Sequence, residues 1–429
     1  MPVVVVGISH RSAPLAIRER VALSAAECAG LLGRFPGAGS REAVVLATCG
    51  RTELWAASSG WERPDAAALA GLLAEASGEP REVFEPYLEV RSEREAVVHL
   101  LRVAAGLDAL VLGEAEILGQ VARALEAALR SGVAGPVLSR LFRAALRAGR
   151  RARAETEIGR RAASVPSVAV DAAARALGTL EGRSVLVLGA GEMGALAVRA
   201  LVRRGAGPLV VMSRTLRHAE ALARPYGARA LELRELPRAL AKADVLVAST
   251  GAPGIVVTAD QVRRAAAGRN GAPLVILDMA LPRDVQPGVR ALPNVEYLDL
   301  DDLGAAAASH QARRRLEAPR VEAIVQHEAE RFLAWQRAAS VTPAIADLRG
   351  RAEAVRKIEL GRALRRMPNL SPEGRDVLEA FSRSLVNKLL HEPTTRLKAS
   401  AGNGDAEQLA AALRRLFALQ DQAGNGHGR

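Results

Sequence analysis

The sequence predicts a multidomain α/β protein whose middle third is a parallel sheet covered by helices on both faces. Three observations lead there. Short β-branched runs mix with helical stretches before Glu93, four continuous apolar runs alternate with helices between Gly182 and Leu300, and helical periodicity dominates after Asp301. Strands that are apolar at every position belong to a sheet buried on two faces, and their alternation with helices marks it as parallel. The 429 residues leave room for roughly three domains at about 150 residues each.

The first unit reads as α+β. Pro2–Ser9 is a β-branched strand, Ser24 and Glu27 form a capping-box pattern that opens a helix into Leu31 and Leu32, Ala43–Ala47 and Thr52–Ala57 are strands around a short break, and a helix runs from about Asp65 to Ala76. From Glu93 to about Ala154 apolar residues recur at spacings of three and four, which predicts consecutive helices. The last of these carries Arg140, Arg143, Arg147, Arg150, Arg151 and Arg153. That ridge is either a solvated face or a phosphate-contacting one.

In the middle unit, Ser184–Leu188, Leu209–Met212, Val245–Ser249 and Leu274–Asp278 are the strands. Beyond it, Arg320–Arg337 carries an apolar stripe, with Pro319 a kink or a start, and Ala344 to about Arg366 and Pro372–Leu390 are further amphipathic helices. The Gly-rich stretches GNGDAEQ and QAGNGHGR near the C-terminus predict a frayed tail. Apolar stripes without site chemistry make this end an oligomerisation unit.

Composition excludes several classes. No apolar run reaches about 18 residues without charges, so no membrane span is expected. MPVVVVGISH lacks the basic region and long apolar stretch of a signal peptide. The two cysteines, Cys28 and Cys49, are too few for a disulfide scaffold or a multi-cysteine zinc site, so a reduced cytoplasmic compartment is expected and no metal. The 59 basic residues against 47 acidic give +12, and only four of the 59 are lysine. The charge favours an anionic partner, nucleic acid first; a GC-rich genome that writes Arg and Ala freely gives the same composition.

Two sites emerge from the residues. Gly189-Ala190-Gly191-Glu192-Met193-Gly194 follows a strand and opens a helix, the context that makes G-x-G-x-x-G a Rossmann-type dinucleotide signature. Gly189 permits the tight turn, Gly191 lets the backbone approach a pyrophosphate, and Gly194 allows close helix–strand packing. The next strand ends in Ser213-Arg214-Thr215 with no acidic residue for a ribose, which favours a 2′-phosphate and hence NADPH. Thr250-Gly251 and Asp278–Arg283 end later strands, where fold analogy places the nicotinamide side.

The second site is Cys49, in the polar turn Thr48-Cys49-Gly50-Arg51 directly after an apolar strand. Arg51 is expected to favour the thiolate, which attacks acyl carbon readily. Cys28, among Ala25, Ala26, Leu31 and Leu32, reads as a small core residue. His99, between Val98 and Leu100, is either a satisfied core histidine or a catalytic one. A thiol, a histidine and a hydride-carrying cofactor together suit reduction of an acyl group through a thioester.

Gly7–Pro14 (GISHRSAP), Thr48–Leu54 (TCGRTEL), Gly106–Gln120 (GLDALVLGEAEILGQ) and Gly189–Gly194 (GAGEMG) occur in this order, with weaker matches at Glu155–Val170, Asp278–Asp284 and Arg331–Trp335. Together they resemble the glutamyl-tRNA reductase family to about Leu390. The resemblance implies an N-terminal catalytic, glutamyl-tRNA-binding domain (1–155), an NADPH-binding Rossmann domain (156–303), a long connecting helix (304–340), an all-α dimerisation domain (341–420) and a disordered tail (421–429), in a V-shaped homodimer. It implies NADPH-dependent reduction of glutamyl-tRNA to glutamate-1-semialdehyde, the first committed step of five-carbon 5-aminolevulinate and porphyrin biosynthesis. Cys49 matches the nucleophile and His99 the required histidine, here assigned to polarising the thioester carbonyl or handling a proton. Thr48, Cys49, Gly50, Arg51, Ala109, Glu114, Ala115, Glu116 and Gln120 match substrate-contacting positions. An arginine such as Arg51 suits the substrate carboxylate and Glu114 its α-ammonium. The family also implies transfer of the aldehyde to glutamate-1-semialdehyde aminomutase.

The chain departs from the family pattern at Gly50, where Asn is usual, at Ala109, where Ser is usual, and at Ala115-Glu116, where Pro-Gln is usual. These changes remove hydrogen-bonding side chains and add a negative charge. They keep two alternatives open: a diverged tRNA-binding or regulatory homologue, and a shikimate-dehydrogenase-like NADP oxidoreductase that needs no thiol.

Overall fold

The computed structural model describes residues 1–35, 42–58, 63–159, 164–309, 312–400 and 406–417; the tail expected at 421–429 lies outside them. Two compact units result, one of Val3–Ala57 with Pro64–Ala329, the other of Met1–Pro2, Ser58–Arg63 and Glu330–Arg429.

The larger unit begins with β1 (Val3–Ser9), α1 (Leu15–Arg18), α2 (Ala25–Gly33), β2 (Glu42–Thr48), β3 (Arg51–Ala57), α3 (Ala66–Ser77), α4 (Arg81–Phe84) and β4 (Glu89–Ser92). The strands form an antiparallel sheet in the order β2-β3-β1-β4. The register sets Val6 opposite Leu54 and Val45 opposite Leu54, so the apolar runs share one interior. The capping box at Ser24 forms as the sequence predicts: its hydroxyl accepts from Glu27 N–H and the Glu27 carboxylate accepts from Ser24 N–H at 2.7 Å. Strand β4 escapes the sequence reading because it is four residues long, mostly polar, and defined by its pairing with β1.

Helices α5 (Glu93–Ala105), α6 (Glu116–Arg130) and α7 (Pro136–Glu155) follow. α5 packs on α7 and on β1, and α6 packs on β2. Each buries its apolar stripe, with Leu100, Leu101, Val121, Leu125, Leu141 and Phe142 all interior.

Next come α8 (Val165–Leu177), β5 (Val185–Leu188), α9 (Glu192–Arg203), β6 (Leu209–Ser213), α10 (Leu216–Ala223), β7 (Arg229–Glu232), α11 (Leu236–Lys242), β8 (Val245–Ala248), α12 (Ala259–Ala267), β9 (Leu274–Asp278), β10 (Val295–Leu298) and α13 (Leu300–Ser309). The six strands are parallel in the order β10-β9-β8-β5-β6-β7, the doubly wound nucleotide-binding arrangement. Val185 and Val187 enter one core and Leu186 and Leu188 the other, which is why these strands are apolar throughout. The sequence reading finds the four central strands and misses β7 and β10, the two edges, whose short and partly polar runs need less apolar character.

The helical end departs most from expectation. Helix α14 (Ala312–Arg366) is one continuous helix of 55 residues, so Pro319 neither starts nor divides it. A single proline removes one backbone hydrogen bond, and buried Val321, Ile324, Val325 and Ala329 hold this stretch in place regardless. α15 (Pro372–Ser400) likewise continues through Pro393. α16 (Ala406–Leu416) includes Ala406–Gln408, which the sequence places in the frayed tail. Among the described residues, no helix is long and apolar enough to cross a membrane.

Candidate active site

Cys49 sits in the tight turn between β2 and β3. The Thr48 hydroxyl shapes it by accepting hydrogen bonds from Gly50 N–H at 3.1 Å and Arg51 N–H at 3.2 Å. His10 N–H donates to the Gly50 carbonyl at 2.8 Å, tying the turn to the end of β1. Beneath it lies Arg18, which donates to the Cys49 carbonyl at 2.8 Å, to Ala13, and to the Asp301 carboxylate. Sequence reasoning missed Arg18, one of many arginines and in a four-residue helix. Cys49 is half-buried as a residue, but its thiol is desolvated. Burial pushes it up to about 12, helped by the negative charge of Glu114 and opposed by Arg18.

Arg51 does not serve the thiol as expected. Its side chain is 1% exposed; it donates to Glu53 at 2.7 Å and to the Asp108 carbonyl, and pairs with the Asp108 carboxylate at 3.7 Å. Its charge is already neutralised, so it is not free for a substrate carboxylate. Glu53 also bonds His99 Nε2 at 2.8 Å and accepts from Trp55 Nε1 at 3.2 Å. Burial works to raise the Glu53 carboxyl, but His99 and Arg51 outweigh it and hold the group at about 2. His99 Nδ1 lies 3.5 Å from Asp108, and its ring stacks on Trp55 with centroids 5.9 Å apart. Among the described residues no hydrogen bond or ion pair joins His99 to Cys49. The geometry is that of a satisfied buried histidine in a charged network.

His10 is a second group that sequence reasoning left unassigned, though it lies in the GISHRSAP segment. Its Nδ1 is buried with no hydrogen-bond partner among the described residues, and burial followed by the charge of Arg51 lowers the ring to about 4, so it is neutral at ordinary pH. A Cβ at Gly50 would meet His10 Nδ1 at 3.6 Å and Thr48 Oγ1 at 3.9 Å, ordinary contacts. The glycine therefore leaves space beside His10 that the family's usual Asn would fill.

Glu114 reaches the site from the turn before α6, and Glu116 from the first residue of that helix. Gly106 and Gly113 both adopt positive φ, and a Cβ at Gly113 would stand 2.3 Å from the Ile158 carbonyl. Arg153 donates to the Glu114 carbonyl at 2.6 Å and to Ala104 at 3.0 Å, fixing the turn from α7. The Glu114 side chain is 6% exposed and makes no hydrogen bond among the described residues. Burial, then the charge of Glu116, raises its carboxyl to about 8. Oε2 of Glu116 is also buried without a partner. Gln120 lies one turn further along α6, half-buried; Ala109 and Ala115 offer no polar group. Cys28 is half-buried rather than a core residue, and burial raises its thiol to about 11.

The nucleotide cleft, about 340 Å³, is lined by Gly189, Ala190 and Gly191, by Ser213, Arg214 and Thr215, and by Ser249 and Thr250. Gly189 has φ +112°, and a Cβ there would stand 2.4 Å from the Ser249 carbonyl. One on Gly194 would stand 2.1 Å from the Gly189 carbonyl, whereas nothing lies within 4 Å of one on Gly191. Two glycines are thus needed for close packing, and the third leaves the backbone open to a pyrophosphate at the start of α9. Glu192 pairs with Arg123 at 3.0 Å, and the Ser213 hydroxyl donates to the Thr215 carbonyl at 2.6 Å. Thr250 N–H donates to Asp284 at 2.7 Å. Burial raises buried Asp278 to about 7 although it accepts from Val285 N–H at 2.9 Å, and Arg283 pairs with Glu19 at 2.5 Å. Among the described residues there is no cluster fit to hold a metal ion.

The arginine ridge on α7 divides. Arg147 and Arg151 pair with fully buried Glu328 at 3.2 and 3.1 Å, and Arg153 is bonded inward. Arg140, Arg143 and Arg150 are exposed.

Comparison with known proteins agrees with this arrangement. Residues 6–156 match the family model of the glutamyl-tRNAGlu reductase N-terminal domain, 171–306 that of shikimate / quinate 5-dehydrogenase, and 320–419 that of the glutamyl-tRNAGlu reductase dimerisation domain. A glutamyl-tRNA reductase of Rubrobacter xylanophilus is 44% identical over 98% of this chain and 97% of its own length. One of Salinispora arenicola is 42% identical over 98% and 92%. The solved glutamyl-tRNA reductase of Methanopyrus kandleri is 34% identical, covers 97% of this chain and 99% of its own, and superposes with a TM-score of 0.54. With a thiol turn, a nucleotide cleft and full-length similarity in one polypeptide, the chain belongs to the glutamyl-tRNA reductase family.

Proposed function

We propose that this chain reduces glutamyl-tRNA to glutamate-1-semialdehyde with NADPH, through a thioester on Cys49, at the entry to porphyrin biosynthesis. The observation that carries the reading is the pairing, in one compact unit, of a thiol turn facing buried Glu114 with a glycine-lined nucleotide cleft. A dehydrogenase acting on a ketone needs no such thiol.

Glu114, buried and without a hydrogen-bond partner, is suited to receive the α-ammonium of the glutamyl group, whose charge favours the ionised carboxylate. Arg18 supports the Cys49 thiolate through the turn it braces. The proton that the Cys49 thiol gives up leaves on the terminal ribose oxygen of the tRNA. The thiolate forms a C–S bond to the ester carbon, and the bond to the terminal ribose oxygen of the tRNA breaks. The chemistry that bound NADPH supplies is a hydride. The absence of an acid at Ser213-Arg214-Thr215 supports NADPH over NADH. His99 serves by holding Glu53, and through it Arg51, in place.

The same reading divides the chain at 1–155, 156–303, 304–340 and 341–420, as catalytic domain, NADPH domain, connecting helix and dimerisation domain. It makes the protein a cytoplasmic homodimer that hands its aldehyde to the aminomutase. Label transfer tests it. Glutamate label is expected to move from tRNA to protein without NADPH and into a small aldehyde with it, and Cys49→Ser is expected to abolish both. Label that stays on tRNA throughout would overturn the reading.

A further inference from the structure

Arg18 is one of the largest fully buried side chains of the protein. Its guanidinium reaches three acceptors: Ala13 O from Nε at 3.2 Å, Cys49 O from Nη1 at 2.8 Å, and Asp301 Oδ1 from Nη2. Asp301 opens α13 and also accepts from Leu15 N–H at 3.0 Å. Its side chain is 45% exposed while that of Arg18 is 1% exposed. The charges that act on the Cys49 thiol include Glu114, from the turn before α6, Glu116, the first residue of α6, and Arg18. Arg51, next but one in sequence, is committed to Glu53 and Asp108. Arg18 is thus the cation that serves the sulfur, and one carboxylate competes for it.

We propose that Arg18 is a positioning residue for Cys49, presenting the cation that stabilises its thiolate, and that Asp301 holds that cation in check. Two anions cannot both draw full stabilisation from one guanidinium, and the Arg18 end of the pair is shielded from solvent. While Asp301 is paired, less of the Arg18 charge is left to the sulfur. Any movement that lengthens the Arg18–Asp301 pair leaves more of the charge to the sulfur. The inference deepens the proposed thioester chemistry and rests on Cys49 being the nucleophile.

The test reads the thiolate by the rate at which iodoacetamide alkylates Cys49 between about pH 7 and pH 10, a rate proportional to the thiolate fraction even where that fraction is small. The full chain carries Cys28→Ser so that one thiol remains, and the Cys49→Ser protein is subtracted. Asp301→Asn keeps an acceptor for Leu15 N–H but removes the competing charge, and is expected to raise the thiolate signal at a given pH about tenfold, as a one-unit fall in thiol pKa requires. Arg18→Gln is expected to lower it by a similar factor. A purely structural role for Arg18 does not make Asp301→Asn raise the signal. An unchanged or reduced signal in Asp301→Asn would overturn the proposal, even where Arg18→Gln fails to fold. The measurement uses neither tRNA nor NADPH, so a failed label transfer and a failed titration remain distinct results.

Discussion

At the scale of single residues, the site is governed by which charges are already satisfied. Arg51 and Glu53 bind each other, whereas among the described residues His10 Nδ1 is buried without a partner and the carboxyl of buried Glu114 makes no hydrogen bond. A buried carboxyl without a partner destabilises the fold once ionised. The Glu114 carboxyl rises from 4.5 to about 8 in the folded chain. Between those values the folded state holds a proton that the unfolded state has released. The stability contribution of Glu114 is therefore whole below pH 4.5, declines as pH rises, and is lowest above about pH 8. Replacing Glu114 by Gln removes this dependence. Calorimetry is expected to show a larger gain in Tm over the parent at about pH 8.5 than at about pH 5. Glutamyl-tRNA binding is expected to weaken, read as a higher KM, because the partner of the α-ammonium is gone.

At the scale of elements, the β5–α9 junction separates packing from binding. Gly194→Ala would drive a Cβ to within 2.1 Å of the Gly189 carbonyl and force α9 off the sheet. The expected cost is about 1–3 kcal/mol in denaturant unfolding. Gly191→Ala meets nothing within 4 Å in the protein and is expected to leave stability unchanged while weakening NADPH in a fluorescence titration, because its Cβ enters the space of the pyrophosphate. On α7, the two arginines bound to Glu328 and the one bonded to the Glu114 turn are structural. If α7 meets tRNA, exposed Arg143 and Arg150 carry the contact. The double alanine variant is expected to weaken tRNA binding and to flatten its salt dependence by about one unit of slope per arginine removed.

At the scale of the whole molecule, the described residues of the smaller unit leave one apolar face open. Leu348, Val355, Phe381, Leu385 and Leu389 line a groove of about 880 Å³ between α14 and α15. Phe381, Leu385 and Leu389 repeat every four residues along one side of α15 and are 62%, 48% and 66% exposed. Apolar stripes of this length on a helical end are covered in the working protein. With residues 320–419 matching a dimerisation domain, a second copy is the expected occupant. Phe381→Asp with Leu389→Asp is expected to convert a dimer into a monomer in sedimentation velocity while leaving the helix content unchanged.

What the sequence determined by itself is local. The four central strands of the parallel sheet, the glycine turn, the capped α2 and the cysteine turn all follow from residues within a few positions of one another, because periodicity and turn chemistry act at that range. It also determined the family, through motifs in a fixed order. Tertiary structure alone decided the rest. The edge strands β4, β7 and β10 exist by virtue of their neighbours. α14 runs through Pro319 because packing outweighs one lost hydrogen bond. Most of all, it decided the charges. Arg51 was expected to serve Cys49 but is neutralised by Glu53, two residues away, and by Asp108. Arg18, which carried no signal, reaches both Cys49 and Asp301, the latter 283 positions distant. A side chain's partner in a buried site depends on which groups the fold brings within a few ångströms, and chain separation holds no record of that distance.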